Sequence, residues 1–333
     1  MTGTGSGGGG GSSALSVRNI VKVFGNHRAV DDISFEVPRG VVYGILGPNG
    51  AGKSTTLRMI NDIYAPDAGE IVVLGGLRPG LEAAQRIGYL PEERGLYPKM
   101  KVTAMIELVG ELHGLRRAEA RRRAERWLDR LGLAQWAGNK VQDLSKGMQQ
   151  KVQFATALIH EPELVILDEP WSGLDPINAE VLREVVEEIR AAGRTVVFST
   201  HQMEQAEKLV DRVCIIARGQ KLLEGSLHEI KQRAAADGVI ALGFADAAAR
   251  AAAAPVLADR ALVAEQRAPR PTDLADCEVV LAGGATSSQL LAALLAVAAP
   301  LRRFELVVPT LHQIFVDRVG EAAAVAERRP AAG

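Results

Sequence analysis

The stretch GPNGAGKST, at residues 47–55, combines three glycines with a lysine and two hydroxyl side chains. It matches the pattern G-x-x-x-x-G-K-[ST], in which the glycines let backbone N–H groups surround phosphate oxygens. A glycine-rich turn without a ligand is the alternative, but an apolar strand before the stretch and a helix after it favour phosphate binding. The predicted nucleotide-binding residues are Gly47, Pro48, Asn49, Gly50, Ala51, Gly52, Lys53, Ser54 and Thr55.

Two adjacent acids, Asp168 and Glu169, follow the apolar run ELVIL. At the end of a buried strand, Asp168 and the Ser54 hydroxyl are expected to hold Mg²⁺. Glu169 is then placed to polarise a water opposite the γ-phosphate, which Lys53 is expected to reach. Acids that simply face solvent are the alternative. Beside a phosphate loop, however, the pair indicates a nucleoside triphosphatase.

A third motif, DLSKGMQQKV, contains Ser145 and Gly147 just before a predicted helix. A helix N-terminus can bind an anion, so the chain has a second candidate phosphate site. One nucleotide does not need two γ-phosphate sites in one chain. We therefore expect a head-to-tail dimer, in which this motif closes over the nucleotide held by Lys53 of the other subunit.

With these motifs in this order, residues 16–232 resemble the nucleotide-binding subunits of ATP-binding cassette (ABC) transporters, in the branch of stand-alone ATPases that serve exporters. The resemblance implies ATP and Mg²⁺ as cofactors. It also implies an adenine-stacking role for Phe24 and a γ-phosphate contact for His201, beside catalytic Lys53 and Glu169. A buried Phe24 and an ordinary core or surface His201 are the alternatives. The matching dimer-interface loop consists of Ser172, Gly173, Leu174 and Asp175.

Two positions depart from the family pattern. The signature loop, usually LSGGQ, is LSKGMQQ here, so Lys146 replaces a glycine and Met148 a glutamine. Lys146 either adds positive charge at the γ-phosphate or points to solvent. Glu92 stands where the family has a glutamine that contacts Mg²⁺ and transmits motion to the membrane subunit. A carboxylate suits that place only beside the metal, because it repels phosphate otherwise; alternatively, Glu92 faces a solvated cleft and pairs with Arg94.

Apolar patterning predicts the elements that position these motifs. SVRNIVKVF and AVDDISFEV have the mixed patterning of a half-exposed antiparallel edge sheet, whereas VVYGIL is typical of a buried central strand. From residue 102 to about 138, leucines at helical spacing among many arginines predict a helical subdomain. Strands and helices alternate after it, as in βαβ units with a parallel sheet.

The predicted fold class is therefore α/β. It is a P-loop NTPase domain of the ABC type, with a parallel core sheet, an antiparallel β edge subdomain and a helical subdomain, followed by a small α+β C-terminal domain. The PTLHQIF element gives that domain a resemblance to the accessory domain of sodium-extruding and antibiotic-exporting ATPases. The expected boundaries are a flexible Gly/Ser tail at 1–14, an ATP-binding domain at 15–235 with its helical subdomain at about 101–140, an accessory domain at 236–320 and a flexible tail at 321–333.

Composition limits the partners. The 333 residues include 39 Lys and Arg against 40 Asp and Glu, and a net charge of -1 creates no field that attracts nucleic acid. Arginines within residues 116–126 could form a nucleic-acid patch, or a solvated helix face paired with Glu119 and Glu125. No signal peptide is expected at the start, and the longest apolar run, near residues 290–301, is about half the ~20 residues of a membrane-spanning helix.

We therefore expect a cytoplasmic protein, held on the cytoplasmic face of the cell membrane by a transmembrane permease on a separate chain. Near-complete motifs favour a homodimer, and no nucleic-acid partner is expected. A soluble ABC protein of DNA repair or translation predicts two cassettes, a long coiled-coil insertion or a basic surface. The sequence instead has one cassette, one short helical insertion and a net charge of -1. A P-loop kinase or GTPase would lack the signature loop that this sequence contains, and a GTPase would contain an N-K-x-D motif that this sequence lacks.

Overall fold

The computed structural model describes residues 13–93, 95–235, 238–268 and 275–327, with backbone alone at 320–327. Contacts divide the chain into two compact units, of which the first runs up to Ser226 and the second is Leu227–Glu321. The strands of the first unit are β1 (Ser13–Phe24), β2 (His27–Pro38), β3 (Val42–Leu46), β4 (Ala68–Val73), β5 (Ile87–Leu90), β6 (Leu164–Asp168), β7 (Thr195–Thr200), β8 (Arg212–Ala217) and β9 (Gln220–Ser226). Its α-helices are α1 (Lys53–Ile60), α2 (Leu81–Ala84), α3 (Val102–Leu112), α4 (Arg117–Arg130), α5 (Lys146–Leu158), α6 (Pro176–Ala191) and α7 (Met203–Glu207).

The strands of the first unit form two sheets. An antiparallel sheet has the order β2-β1-β4, and a six-stranded sheet has the order β5-β6-β7-β3-β8-β9. The larger sheet is parallel except for β9, which runs antiparallel to β8. Strands β3, β6 and β7 are buried along their whole length, as continuous apolar strands covered on both faces should be. The predicted edge sheet and the buried central strand are both confirmed.

Sheet order brings three strand ends together. Strand β7 lies between β6 and β3, and its last two residues pair across the sheet. Ser199 is in register with Asp168, and Thr200 is in register with Leu46, the last residue before the phosphate loop. In parallel sheets, ligands bind outside the carboxyl ends of the strands. This edge therefore carries the residues that were singled out for chemistry.

The helical segment between β5 and β6 contains α3, α4, two short 3₁₀ turns, Ala134–Trp136 and Val141–Asp143, and then α5. Its arginines are largely paired on α4. Glu119 forms ion pairs with Arg122 and Arg123, and Arg121 pairs with Glu125 at 3.1 Å. These pairs are the arrangement that a solvated helix face predicts.

The second unit is the expected small α+β domain. Its helices are α8 (Leu227–Ala235), α9 (Ala247–Ala258), α10 (Ser287–Ala296) and the part of α11 (Leu311–Glu327) up to Glu321, and its strands are β10 (Val239–Phe244), β11 (Val263–Arg267), β12 (Cys277–Leu281) and β13 (Leu301–Leu306). The strands form an antiparallel sheet in the order β11-β12-β10-β13. Phe244, Ala253 and Leu290 contribute to one apolar core of this unit.

The structure differs from the expected boundaries in three places. Ser13 and Ala14 belong to β1, where Ala14 is fully buried, while the rest of the expected N-terminal tail lies outside the described residues. Helix α8 groups with the second unit, so the border falls after Ser226 and not after residue 235. Helix α11 continues to Glu327, which makes residues 321–327 helical. Among the described helices, none has the length and apolarity needed to cross a bilayer.

Candidate nucleotide site

The phosphate loop (residues 47–55) joins β3 to α1 and depends on glycine at two points. Gly47 and Gly52 have φ of 157° and 102°, which L side chains rarely adopt. A Cβ on Gly47 would lie 2.0 Å from Ile216 O, and one on Gly52 would lie 2.5 Å from Ala29 O. Glycine therefore lets this loop run directly against β8 and β2, which fixes the position of its backbone.

Lys53, the first residue of α1, is 5% exposed and turns its ammonium group into the phosphate loop. Its Nζ donates to Gly47 O at 2.9 Å and to Pro48 O at 3.1 Å. Glu169 Oε1 lies 3.5 Å from the same atom. Since a buried charge is costly without partners, these contacts explain how an ammonium group is held at this place.

Asp168, at the end of β6, is completely buried. Its Oδ1 accepts hydrogen bonds from Ser54 Oγ at 3.0 Å and from Ser199 Oγ at 2.5 Å. Its Oδ2 is buried without a partner among the described residues. Burial raises the pKa of Asp168 against the opposing effect of the two hydroxyls. An open carboxylate oxygen beside a serine hydroxyl is an oxygen donor set that fits Mg²⁺.

Glu169 follows Asp168 with φ of 48°, a strained conformation for a non-glycine residue. Its Oε1 lies 2.9 Å from His201 Nδ1, and its Oε2 accepts a hydrogen bond from Thr200 Oγ1 at 3.1 Å. Its backbone N–H donates to Ser199 O at 3.1 Å. The structure thus brings Glu169, His201 and Lys53 together and holds one carboxylate in a fixed orientation.

A cavity of about 350 Å³ extends over the phosphate loop. Phe24 and Glu92 border it together with the loop and Glu169. Phe24 is 41% exposed, so it is not a buried core residue, and Tyr64 packs edge-on against its ring at 5.4 Å. Glu92 is exposed at this cavity. Its alternative partner, Arg94, lies outside the described residues.

The signature loop (residues 145–148) and the interface loop (residues 172–175) lie elsewhere on the chain. Ser145 caps α5 by accepting a hydrogen bond from Met148 N at 3.3 Å, and Lys146 is exposed. Asp175 caps α6 through Asn178 N at 2.9 Å, a bond that lowers the pKa of Asp175. No residue of either loop borders the phosphate-loop cavity of its own chain.

Sequence reasoning missed several residues that shape the site. Ser199 and Thr200 hold Asp168 and Glu169, and the signal for them was available in the hydroxyls that end the apolar run TVVF. His27 also borders the cavity, just after Phe24. Its signal was its place between the two segments that were expected to form the antiparallel edge sheet. Gln153, which contacts the residues on either side of Glu92, had no recognisable signal.

Comparison with known proteins places this geometry in a family. A family model described as "ABC transporter" matches residues 30–172, and one described as "ATP-binding protein DrrA1-3-like, C-terminal domain" matches residues 225–319. An uncharacterised ABC transporter ATP-binding protein of Bacillus subtilis, YhaQ, is 38% identical over 307 residues, which cover 92% of this chain and 98% of that protein.

Two further relatives carry functional names. Linearmycin resistance ATP-binding protein LnrL of Bacillus subtilis is 38% identical, covering 68% of this chain and 74% of that protein. Nod factor export ATP-binding protein I of Cupriavidus metallidurans is 38% identical, covering 66% of this chain and 73% of that protein. A solved ATP-binding subunit of an ABC transporter is 32% identical, with a TM-score of 0.63 over 68% of this chain and 95% of that chain.

Proposed function

Because this chain belongs to the family of ABC transporter ATP-binding proteins, which hydrolyse ATP to power transport, we propose that it binds Mg²⁺-ATP at the phosphate loop, closes as a head-to-tail dimer and drives a transmembrane permease on a separate chain. The observation that supports this site most directly is the meeting of Ser54, Asp168 and Glu169 beside Lys53. Lys53 and Ser54 begin α1, and Asp168 and Glu169 lie at the end of β6, so all four residues share one edge of the parallel sheet.

In the bound state, backbone N–H groups of residues 47–55 hold the phosphates, and Phe24 stacks on the adenine. Ser54 and Asp168 hold Mg²⁺, and Glu92 offers a further carboxylate from the cavity wall. A bound Mg²⁺ there would neutralise negative charge on the phosphates. Asp168 Oδ2 supports this assignment, because a buried carboxylate oxygen without a partner is rare unless a ligand or an ion uses it.

Lys53 changes partners in this proposal. Its ammonium group has three donors, of which two are used by loop carbonyls and the third faces Glu169. A γ-phosphate oxygen replaces Glu169 as the anionic partner of Lys53. Glu169 is then free to accept a proton from the attacking water, while Thr200 and His201 keep its carboxylate oriented. His201, partly exposed beside Glu169, is placed to contact the γ-phosphate as well.

The second half of the site comes from another copy of the chain. Ser145 and Gly147 of one subunit contact the γ-phosphate bound by its partner, through the N-terminus of α5. Residues 172–175 cross the interface, and exposed Lys146 adds positive charge close to the phosphates. Ser145 and Lys146 are exposed, as are residues 172, 173 and 175, and neither loop borders the cavity of its own chain, which supports this arrangement. Ser145 can still bind a phosphate oxygen while it caps α5, because a hydroxyl group can donate one hydrogen bond and accept two.

The permease selects the cargo, and export is the proposed direction. Two relatives, a linearmycin resistance ATP-binding protein and a Nod factor export ATP-binding protein, support export by their names. We place the chain in the cytoplasm, on the membrane face where the permease meets ATP. Residues up to Ser226 form the ATP-binding domain in this proposal, and Leu227–Glu321 form an accessory domain.

Trapping the closed dimer tests the trans arrangement. Glu169→Gln keeps the shape of the side chain but removes its capacity as a base, so ATP and Mg²⁺ should convert the monomer to a dimer in size-exclusion chromatography with light scattering. The double variant Glu169→Gln/Ser145→Arg should stay monomeric, because a long cation blocks the second half of the site. A Glu169→Gln chain that stays monomeric with ATP, even with its copurified permease, would refute the proposed dimer.

The role of Glu92 has a separate test. If its carboxylate contacts the metal ion, Glu92→Gln should change the Mg²⁺ concentration that gives half-maximal ATP hydrolysis. Unchanged ATPase activity and unchanged Mg²⁺ dependence would remove Glu92 from the metal site. It would then remain a solvated side chain at the cavity rim.

A further inference from the structure

Gln153 is a polar side chain in the apolar middle of α5, between Val152 and Phe154, and only 3% of it is exposed. Its Nε2 donates to Pro91 O at 2.9 Å and to Glu93 O at 3.2 Å. Both protons of the amide are therefore used by the two carbonyls that flank Glu92. The segment 91–93 is called the Glu92 loop below.

The orientation of this amide follows from its contacts. Gln153 Oε1 is buried and has no partner among the described residues. A flipped amide would place that oxygen against two carbonyl oxygens, which repel it, and would leave the donors unused. An apolar side chain would fill this position without an unpaired acceptor. The hydrogen bonds to the Glu92 loop are thus what glutamine contributes here.

Within one chain, these hydrogen bonds connect a loop at the chain's own nucleotide site to the helix that is proposed to complete the nucleotide site of the other subunit. The Glu92 loop borders the cavity over the phosphate loop of its own chain. Helix α5 begins after Ser145, eight residues before Gln153, which is about 12 Å along a helix axis. Over two turns an α-helix moves as one body, so a displacement of Gln153 is passed to the signature loop.

We propose that Gln153 is a positioning residue that ties the Glu92 loop to the signature helix α5. Movement of this loop around the nucleotide of one subunit then shifts Ser145 and Gly147, which face the nucleotide of the other subunit. The two sites of the dimer are coupled through this amide within each chain. The inference rests on the proposed function, since it needs the signature loop to act in trans.

The test uses Gln153→Met, which keeps an unbranched side chain of similar length and removes both donors. Gln150→Met is the matched control, because Gln150 is a similarly buried glutamine on the same helix and its Nε2 donates to Pro170 O at 3.3 Å, outside the Glu92 loop. Each variant is made alone and with Glu92→Gln, and kcat and KM for ATP are measured together with the thermal midpoint of unfolding.

If Gln153 acts through the Glu92 loop, Gln153→Met lowers kcat about tenfold or more while KM for ATP and the thermal midpoint stay near wild type, because misplacement affects the closed state and not the first binding step. Glu92→Gln then adds little to Gln153→Met, whereas its effect is additive with Gln150→Met.

An unchanged kcat in Gln153→Met, or effects of Gln153→Met and Glu92→Gln that multiply independently, would overturn the inference, as would a loss of kcat that only accompanies unfolding. Wild-type protein without ATPase activity would instead refute the proposed function, and the coupling with it. The two failures are therefore distinguishable in the same set of assays.

Discussion

His160 makes a specific prediction about stability in acid. The residue follows α5, its Nε2 lies 3.0 Å from Ile87 O, and its ring stacks on His113 at 3.8 Å between centroids. Burial, with His113 as the next cause, lowers the pKa of His160 to about 4 from an ordinary value of 6.5. The native structure therefore excludes a proton that the unfolded chain accepts readily.

The sign and size of the effect follow from linkage. Above pH 6.5 the imidazole is neutral in both states, so its contribution to stability is fully present. As the pH falls from about 6.5 towards 4, the unfolded chain takes up the proton first and the free energy of unfolding declines. A difference of about 2.5 pH units corresponds to a ceiling of about 3 kcal/mol. Solvent screening of this half-buried ring reduces the expected loss to about 2 kcal/mol.

The perturbation is His160→Gln, whose amide can still donate to Ile87 O but does not titrate between pH 7 and 4. Urea unfolding is followed by tryptophan fluorescence, because all three tryptophans, Trp127, Trp136 and Trp171, belong to the first unit. The carboxylates titrate equally in wild type and variant. The difference between their two stability profiles therefore isolates the contribution of the His160 imidazole. Wild type should lose about 2 kcal/mol more than the variant between pH 7 and pH 4. Parallel profiles over this range would show that the reasoning about His160 is wrong.

Three further predictions concern the site. Ser199→Ala removes the hydroxyl that donates to Asp168 Oδ1, so the Mg²⁺ concentration for half-maximal ATPase activity should rise about 10- to 100-fold; an unchanged Mg²⁺ titration would contradict this. Gly52→Ala should abolish binding of a fluorescent ATP analogue, because its Cβ would lie 2.5 Å from a backbone carbonyl oxygen. Gly50→Ala, also at positive φ, would meet no atom within 4 Å, so this variant should bind the analogue more tightly than Gly52→Ala does. Equal affinities of the two variants would exclude the steric explanation. Phe24→Ala should weaken ATP binding by about 1–3 kcal/mol through lost stacking, with Phe24→Trp restoring it, and an ATP dissociation constant that does not change would remove Phe24 from the base site.

Several features were predictable from the sequence because their parts are close together along the chain. The phosphate loop is nine consecutive residues, and its glycines, Lys53 and Ser54 act as neighbours on one turn and the start of one helix. The buried strands before it and before Asp168 are continuous apolar runs, so their type followed from pattern alone. The caps of α5 and α6, Ser145 and Asp175, likewise act on residues only three positions away.

The C-terminal part was harder to predict at the level of elements. Two thirds of helix α9, 8 of its 12 residues, is alanine, without the apolar periodicity that marks one buried face. Asp246, whose carboxylate accepts from Ala249 N at 2.7 Å, was the local signal for its start. Strand β11 has one buried residue, Val263, among four exposed ones, so its assignment depends on pairing with β12. Whether such a segment forms an edge strand depends on the strand of the same chain that pairs with it.

The sequence by itself determined which residues could bind phosphate and which charged side chains could act beside it. Only the tertiary structure decided that Ser199 meets Asp168, that Thr200 and His201 meet Glu169, and that Gln153 holds the loop of Glu92. Contacts within a turn depend on local spacing. Contacts between strands depend on sheet order and register. These result from burying many apolar residues at once, so no single position of the sequence specifies them.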